Sequence, residues 1–269
     1  MLIPRILTAL VLLPLMLGML FYASPLGWVA FSGLIAMVAL WEFSRMAKMP
    51  LAMQATYLSI TLVLGVAAAY QDYRLNLVEH GLVVLFWVVL APLWLRFKWA
   101  PKPGFLGLLL GWVLMVPFWL ALVALRPSEQ DAKALLAVMA MVWVADVGAY
   151  VFGRLFGKRK LAPSISPGKS WEGAIGGVVC VIAYVLIVDR LGWFGFVLPT
   201  WALIVAAVLL TAVSVVGDLL ESWFKRAAGM KDSSQLLPGH GGVFDRVDSL
   251  IAVLSIYAAL LAFAVYWTN

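Results

Sequence analysis

The sequence has 269 residues, of which 65% are hydrophobic and 12% charged, and its mean hydropathy is +1.03. Soluble domains are about half apolar, so this composition excludes a water-soluble protein and indicates an integral membrane protein. The net charge of +6 is explained better by basic loops on one side of a bilayer than by nucleic-acid binding, and we expect no nucleic-acid partner.

Nine apolar segments are long enough, at about 20 residues, to cross the hydrocarbon core as helices. They lie at about 4–23, 26–46, 52–71, 77–95, 104–125, 132–153, 172–191, 195–220 and 247–267. The first has the basic start and the small residues near Ala23 of a signal peptide, but eight further spans follow, and we predict that it is retained. Continuous apolar runs argue against membrane strands. The prediction is one all-α, polytopic membrane domain over residues 1–269.

The distribution of basic residues predicts the orientation. With a cytoplasmic N-terminus, 15 of the 19 basic residues fall on the cytoplasmic side: Arg5, Arg45, Lys48, Arg96, Lys98, Lys102, Arg154, Lys158, Arg159, Lys160, Lys169, Lys225, Arg226, Lys231 and Arg246. Only Arg74, Arg126, Lys133 and Arg190 fall outside. The bias predicts that the N-terminus is inside and the C-terminus outside. We expect the membrane to be a bacterial inner membrane. The two longest polar segments, about 154–171 and 221–246, are then cytoplasmic, and we expect the chemistry there.

Carboxylates at the cytoplasmic ends of spans are costly and indicate function. If the eighth span continues as a helix to Arg226, one face carries a polar group of side chains: Asp218, Glu221, Ser222 and Lys225. Asp245 and Asp248 share a face at the start of the last span. Oxygen ligands on two helices suit Mg²⁺, so Asp218, Asp245 and Asp248 are predicted metal ligands.

Each carboxylate also has a structural explanation. Asp245 could cap the last helix, and Asp218 could pair with Lys225. For Glu42, at the end of the second span, we prefer a structural ion pair with Arg45 over a functional role.

Two glycine-containing turns predict phosphate binding. Pro238–Gly242 precedes the last helix, where the backbone N–H groups of Gly241 and Gly242 can approach an anion and His240 can donate to a phosphate oxygen. Lys169 and Ser170 follow a second turn, before the seventh span. Their Gly-Lys-Ser string is not a P-loop, because the earlier glycine that a P-loop requires is replaced by Pro163.

One intramembrane carboxylate has no basic neighbour in sequence. Asp146 lies within the sixth span, in the string VWVADVGAY. A carboxylate there needs a partner from elsewhere in the fold, which we expect to be a cation or a ligand hydroxyl.

The segment SWFKRAAGMKDSSQLLPGHGGVFDRVD resembles the signature of the CDP-diacylglycerol synthases, also called phosphatidate cytidylyltransferases. The elements that match are Ser222, Lys225, Arg226, Lys231, Asp232, His240, Gly241, Gly242, Asp245, Arg246 and Asp248. The strings GDLLES and KLAPSISPGKSWEG also resemble that family, and so do the length and the number of spans. Residues 1–130 contribute little beyond hydrophobicity.

The resemblance implies that phosphatidate and CTP give CDP-diacylglycerol and pyrophosphate with Mg²⁺, in a homodimer with a second cation such as K⁺. Asp218, Asp245 and Asp248 would hold metal. Phosphates would be surrounded by Ser222, Lys225, Arg226, Lys231, His240, Gly241, Gly242 and Arg246, and the nucleotide side would be shaped by Asp146, Lys169 and Ser170. Two alternatives are a CTP-dependent polyprenol or phytol kinase, which would release CDP, and a cation-coupled transporter. The charges cluster on one side rather than across the midplane, which argues against transport.

Overall fold

The computed structural model describes residues 2–194 and 198–268 and is almost entirely helical. Its helices are α1 (Leu2–Tyr22), α2 (Pro25–Met46), α3 (Leu51–Tyr70), α4 (Leu77–Leu85), α5 (Ala91–Phe97), α6 (Phe105–Ala124), α7 (Ala132–Phe156), α8 (Trp171–Arg190), α9 (Thr200–Ala228) and α10 (Phe244–Thr268). A π-helical turn, Phe86–Leu90, joins α4 to α5 within one span, and a 3₁₀ turn, Glu129–Asp131, leads into α7.

Eight helical segments of the described chain are long and apolar enough to cross a membrane. With α4 and α5 counted together, they correspond to the second to ninth predicted spans, which confirms the all-α, polytopic fold. α1 overlaps the first predicted span, and its part Ile6–Tyr22 is apolar. The predicted span at about 195–220 begins at residues 195–197, which lie outside the described residues, and its helix starts at Thr200.

α9 continues well beyond the end of the predicted span at residue 220. It runs for 29 residues and stops at Gly229, whose φ of +76° places it in the left-handed region that favours glycine. Lys225 and Arg226 occupy its last turn, where cations interact favourably with the helix dipole. The extension confirms that Asp218, Glu221, Ser222 and Lys225 lie on one helical face.

A small β-hairpin joins α7 to α8, where we expected only turns. Strand β1 (Lys160–Ala162) pairs antiparallel with β2 (Ser166–Ser170). Three and five residues are too few to show the alternation that marks a half-buried strand, so the sequence pattern gave no signal. The hairpin ends at Ser170, whose hydroxyl accepts a hydrogen bond from Gly173 N and caps α8.

The core surrounds the first half of α10. Its residues 251–254 are almost completely buried, with α2, α4, α6, α7 and α9 packed around the helix. α9 approaches it closely at Gly217, since a Cβ there would lie 2.9 Å from the carbonyl oxygen of Asp248. This contact fixes the carboxylate-bearing part of α9 beside the start of α10.

Small residues bring α7 and α8 into close contact. A Cβ on Gly176 would overlap the side chain of Phe152, and one on Gly148 would lie 2.9 Å from the sulfur of Cys180. Cys180 is a free, partly buried thiol that packs in this contact. Because the two helices contact each other along their length, the hairpin between them is held at one fixed end of the bundle.

One end of the bundle, which we call the site face, gathers the ends of α2, α5, α7 and α9 and the starts of α8 and α10. The indole N–H of Trp223, on α9, donates to the carbonyl of Trp99, after α5. Thr8, near the start of α1, donates to the carbonyl of Pro238. At the opposite end Arg126 donates to the carbonyls at the end of α1. The segments predicted to be cytoplasmic therefore share one end of the fold.

Candidate active site

A cavity of about 410 Å³ lies between α7, α8, α9 and the hairpin, near the site face. Its volume is within the range of small-molecule sites. Four of the predicted site residues line it: Asp146, Lys169, Ser170 and Asp218. Glycines of α8 form one wall, and Thr211 and Ser214 of α9 add hydroxyl groups below Asp218. Polar side chains therefore line this space between the helices, where apolar side chains would be expected in a membrane bundle.

The main ion pair of the cavity joins the hairpin to α9. Lys169 Nζ lies 2.5 Å from Asp218 Oδ2, and both side chains are about one-quarter exposed. Ser222 lies one turn further along α9 and donates to Asp218 Oδ1 at 3.3 Å. Asp218 thus pairs with Lys169 rather than with Lys225, which was the structural alternative that we considered from the sequence.

Two more carboxylates lie close enough to Asp218 for their charges to interact. Asp146 interacts with Asp218, Lys169 and Arg246, and Asp248 interacts with Asp218, Asp146 and Lys169. Asp248 accepts a hydrogen bond from the adjacent Ser249 N–H at 2.6 Å. The fold therefore brings together one carboxylate from each of α7, α9 and α10.

These carboxylates fit a hard cation in donor type and in charge, since the three of them outnumber the two cations with which they interact, Lys169 and Arg246. Within the described residues, however, no group of three or more His, Cys, Asp or Glu side chains is arranged to hold a metal ion. Lys169 occupies the position beside Asp218 Oδ2. Metal binding would require this lysine and the carboxylates to rearrange.

A second cluster lies at the start of α10 and contains Asp245, the third predicted metal ligand. Its Oδ2 accepts hydrogen bonds from Gly242 N at 2.7 Å and from Ser233 N at 2.8 Å. Its Oδ1 lies 2.6 Å from Lys225 Nζ, which is also 2.6 Å from Glu221 Oε2. The carboxylate oxygens of Asp245 thus accept hydrogen bonds from the loop before α10 and from Lys225. These contacts match the cap that we considered from the sequence, and the metal-ligand role of Asp245 stays a prediction.

Glu42 does not form the ion pair with Arg45 that we preferred from the sequence. Its carboxylate is fully buried and accepts hydrogen bonds from Val243 N at 3.0 Å, Phe244 N at 2.6 Å and the Ser234 hydroxyl at 2.5 Å. The Arg45 guanidinium instead stacks over the Trp41 ring at 4.9 Å. The structural prediction was wrong because neighbours in sequence cannot reveal donors about 200 residues away.

Glu42 and Asp245 together fix the loop before α10. The Ser233 hydroxyl lies 3.1 Å from Glu42 Oε2 and 2.8 Å from Asp245 Oδ2, and it can donate to either. A Cβ on Gly242 would collide with Glu42 and Ser233. Gly242 is therefore needed for the close approach of the loop to these carboxylates, and its N–H is already donated to Asp245.

The remaining predicted residues lie around these clusters. Gly241 has a φ of +83°, and His240 donates its backbone N–H to Leu237 O, closing the glycine turn. The buried Nδ1 of His240 has no hydrogen-bond partner among the described residues. Arg226, Lys231 and Arg246 are exposed, and the charge of Arg246 interacts with that of Asp146.

Sequence reasoning missed two residues that line the cavity, Tyr150 and Arg154. The Arg154 guanidinium donates to the Tyr150 hydroxyl at 3.0 Å. The signal was present, because Asp146, Tyr150 and Arg154 follow one another at intervals of four residues and so share a helical face.

Comparison with known proteins identifies the family. A profile described as "Cytidylyltransferase family" matches residues 3–264. The chain is 40% identical over 262 residues to a protein of Pseudomonas aeruginosa named phosphatidate cytidylyltransferase, covering 96% of each chain. It is 37% identical over 287 residues to a protein of the same name from Haemophilus influenzae, covering 94% of this chain and 96% of that one. A Brucella suis protein, again of that name, is 49% identical over 129 residues, 46% of each chain. With matches over nearly its whole length, the chain belongs to the cytidylyltransferase family.

Proposed function

We propose that this chain is a phosphatidate cytidylyltransferase, which converts CTP and phosphatidate to CDP-diacylglycerol and pyrophosphate in phospholipid biosynthesis. The observation that carries the proposal is the profile match over residues 3–264, which encloses every residue of the cavity and of the loop before α10. The position of the cavity supports it. A polar site at one end of a membrane bundle can receive a water-soluble nucleotide and a lipid phosphate together.

The reaction depends more on neutralising the negative charges of its two substrates than on proton transfer. A phosphate oxygen of phosphatidate attacks the α-phosphorus of CTP, a new P–O bond forms, and the bond to the bridging oxygen breaks. Pyrophosphate leaves with that electron pair. A phosphate monoester is already anionic near neutral pH, so no general base is required. The chain must instead bring two anions together and hold them in line. We assign the Lys169 ammonium, which lines the cavity, to binding the phosphate groups that take part in the transfer.

We propose that Mg²⁺ binds at the cavity carboxylates, with Asp218 and Asp248 as ligands and Asp146 beside them. When bound, the ion would neutralise the triphosphate and polarise the reacting phosphoryl group. Asp245, predicted as a third ligand, stays in the proposal: its oxygens accept hydrogen bonds from Lys225 and the loop, but the oxygens of Asp218 are likewise paired with Lys169 and Ser222. A second cation such as K⁺ remains part of the proposal on the resemblance alone.

The residues around the loop complete the proposed site. Arg226, Lys231 and Arg246 are exposed at the site face, and we assign them to contacts with substrate phosphates. His240, Gly241 and Ser222 lie at its edges. Lys225 is held between Glu221 and Asp245, so we assign it to the framework rather than to direct phosphate contact.

We also propose an inner-membrane location with the site face in the cytoplasm, the N-terminus inside and the C-terminus outside. The concentration of 15 of 19 basic residues in the loops of that side supports this orientation. Labelling of single cysteines introduced at Lys98 and Lys133, in a Cys180→Ala background, would test it with an impermeant thiol reagent on intact cells. The homodimer rests on the resemblance, and light scattering of the detergent-solubilised protein would test it.

The decisive experiment mixes purified protein with phosphatidate, labelled CTP and Mg²⁺. We expect labelled CDP-diacylglycerol and pyrophosphate in equal amounts. Release of CDP with a polyprenol or phytol acceptor would favour the lipid-kinase alternative. Cation flux into proteoliposomes without CTP would favour transport. Absence of both expected products, with protein that is monodisperse and folded, would overturn the proposal.

A further inference from the structure

We propose that Arg154 and Tyr150 form a phosphate-binding pair at the rim of the cavity, distinct from the carboxylate cluster at its base. The proposal rests on the proposed function, since it assigns part of the substrate to a position within that site. Its ligand class is a phosphate group, carried either by the nucleotide or by the lipid.

The charge balance of the cavity leads to Arg154. Two basic side chains line the cavity, and one of them, Lys169, is paired with Asp218 at 2.5 Å. The other, Arg154, has no carboxylate within ion-pair distance in the part of the chain that the structure describes. Its guanidinium donates a hydrogen bond to the hydroxyl of Tyr150, at 3.0 Å. Arg154 is therefore available to an anion without first breaking an ion pair.

The helix geometry places this pair away from the carboxylates. Asp146 and Arg154 are eight residues apart on α7, which corresponds to about 12 Å along the helix axis. Arg154 lies in the last turn, at the site face, and Asp146 lies deeper in the bundle. An anion at Arg154 would thus bind nearer to the site face than the backbone position of Asp146. A substrate with a second anionic group could span this distance.

The surroundings of the pair suit a guanidinium at the level of lipid head groups. Tyr150 is 64% exposed, and the neighbouring Val147, Val151 and Leu155 present an apolar strip on the outer surface of α7. The fork of N–H donors of arginine can hold a phosphate through two hydrogen bonds while still accepting support from Tyr150. Since the strip would contact acyl chains and the cavity would receive the nucleotide, both substrates pass this pair.

Steady-state kinetics on Arg154→Ala, with CTP and phosphatidate varied separately, tests the proposal. We expect the KM of one substrate to rise about tenfold or more, as the loss of a charge-assisted hydrogen bond predicts. A rise confined to CTP identifies a nucleotide phosphate, and a rise confined to phosphatidate identifies the lipid phosphate. Arg154→Lys should restore part of the affinity, and Tyr150→Phe should raise the same KM by a smaller factor.

Arg96→Ala is the matched control, because Arg96 is an exposed arginine of the last turn of α5 that lies outside the cavity. It removes the same charge from the same face of the bundle, and we expect both KM values to stay within about twofold of wild type. Unchanged KM values in Arg154→Ala, or an equal rise in Arg96→Ala, would overturn the phosphate-binding pair. If the wild-type protein itself forms no CDP-diacylglycerol, the proposed function fails instead, and the two failures are distinguishable.

Discussion

Replacing Glu42 with glutamine should loosen the loop before α10 without unfolding the bundle. The substitution keeps the size of the side chain and replaces one acceptor oxygen by an N–H₂ donor. Whichever way the amide is oriented, either Val243 N–H or Phe244 N–H then faces a donor instead of an acceptor. The serine hydroxyls can adapt, because Ser233 also reaches Asp245 and Ser234 can turn to accept.

The free-energy cost of the substitution can be estimated from the hydrogen bonds that it removes. One buried N–H left without a partner costs about 1–3 kcal/mol, and loss of charge assistance to the other amide adds about 1 kcal/mol. The total, about 2–4 kcal/mol, corresponds to an increase of roughly 30- to 700-fold in the equilibrium constant for opening the loop.

Hydrogen exchange followed by mass spectrometry would measure that change in the peptide covering residues 233–244. We expect exchange of this peptide to accelerate within the stated range, while peptides from α6 exchange as in the wild type. Glu129→Gln is the control, because Glu129 is exposed at the opposite end of the bundle. Exchange of the loop peptide at the wild-type rate in Glu42→Gln would refute the assignment of Glu42 as the residue that fixes the loop.

Three further predictions concern the cavity and its walls. Asp248→Asn should abolish turnover while the protein still folds, as judged by circular dichroism and size-exclusion chromatography; near-normal activity would remove Asp248 from the proposed metal site. Lys169→Ala should lower kcat/KM by at least about 100-fold with partial recovery in Lys169→Arg, and a loss below tenfold would contradict its role. Gly176→Ala should lower the stability of the folded protein by about 1–3 kcal/mol in thermal melts, because Phe152 must move. Gly81→Ala is the control and should leave the stability unchanged, since the added Cβ meets nothing within 4 Å. Equal melting temperatures of the two variants would contradict the close packing of α7 and α8.

The membrane spans were predictable because hydropathy directly reports which segments can enter a bilayer. Helical spacing placed Asp218, Glu221, Ser222 and Lys225 on one face on the condition that the helix continues beyond the apolar span, and α9 does continue, up to Gly229. The start of α10 at Phe244, three residues before the predicted 247, reflects capping by Glu42 rather than hydropathy.

The partners of the charged residues were not predictable in the same way. Asp218 pairs with Lys169 on the hairpin, and Glu42 binds the loop before α10, so both partners come from other elements. Helical spacing predicts which residues of one helix lie on the same face within one or two turns, but it does not predict contacts between helices. Arg154 was visible as a basic residue, yet its place in the cavity depends on how α7 packs against α8 and α9.

The burial of Glu42 has a consequence for the order in which the protein matures. Synthesis proceeds from the N-terminus, so α2 is complete long before its partners Val243 and Phe244, which follow Glu42 by 201 and 202 residues. Until then the carboxylate must remain hydrated at the membrane surface, because an unpaired charge in the bundle is costly. It can be enclosed only when the last helix has been inserted. The nascent chain therefore passes through the ribosome and into the membrane with an unfinished active site, and insertion of α10 both closes the bundle and makes the enzyme competent.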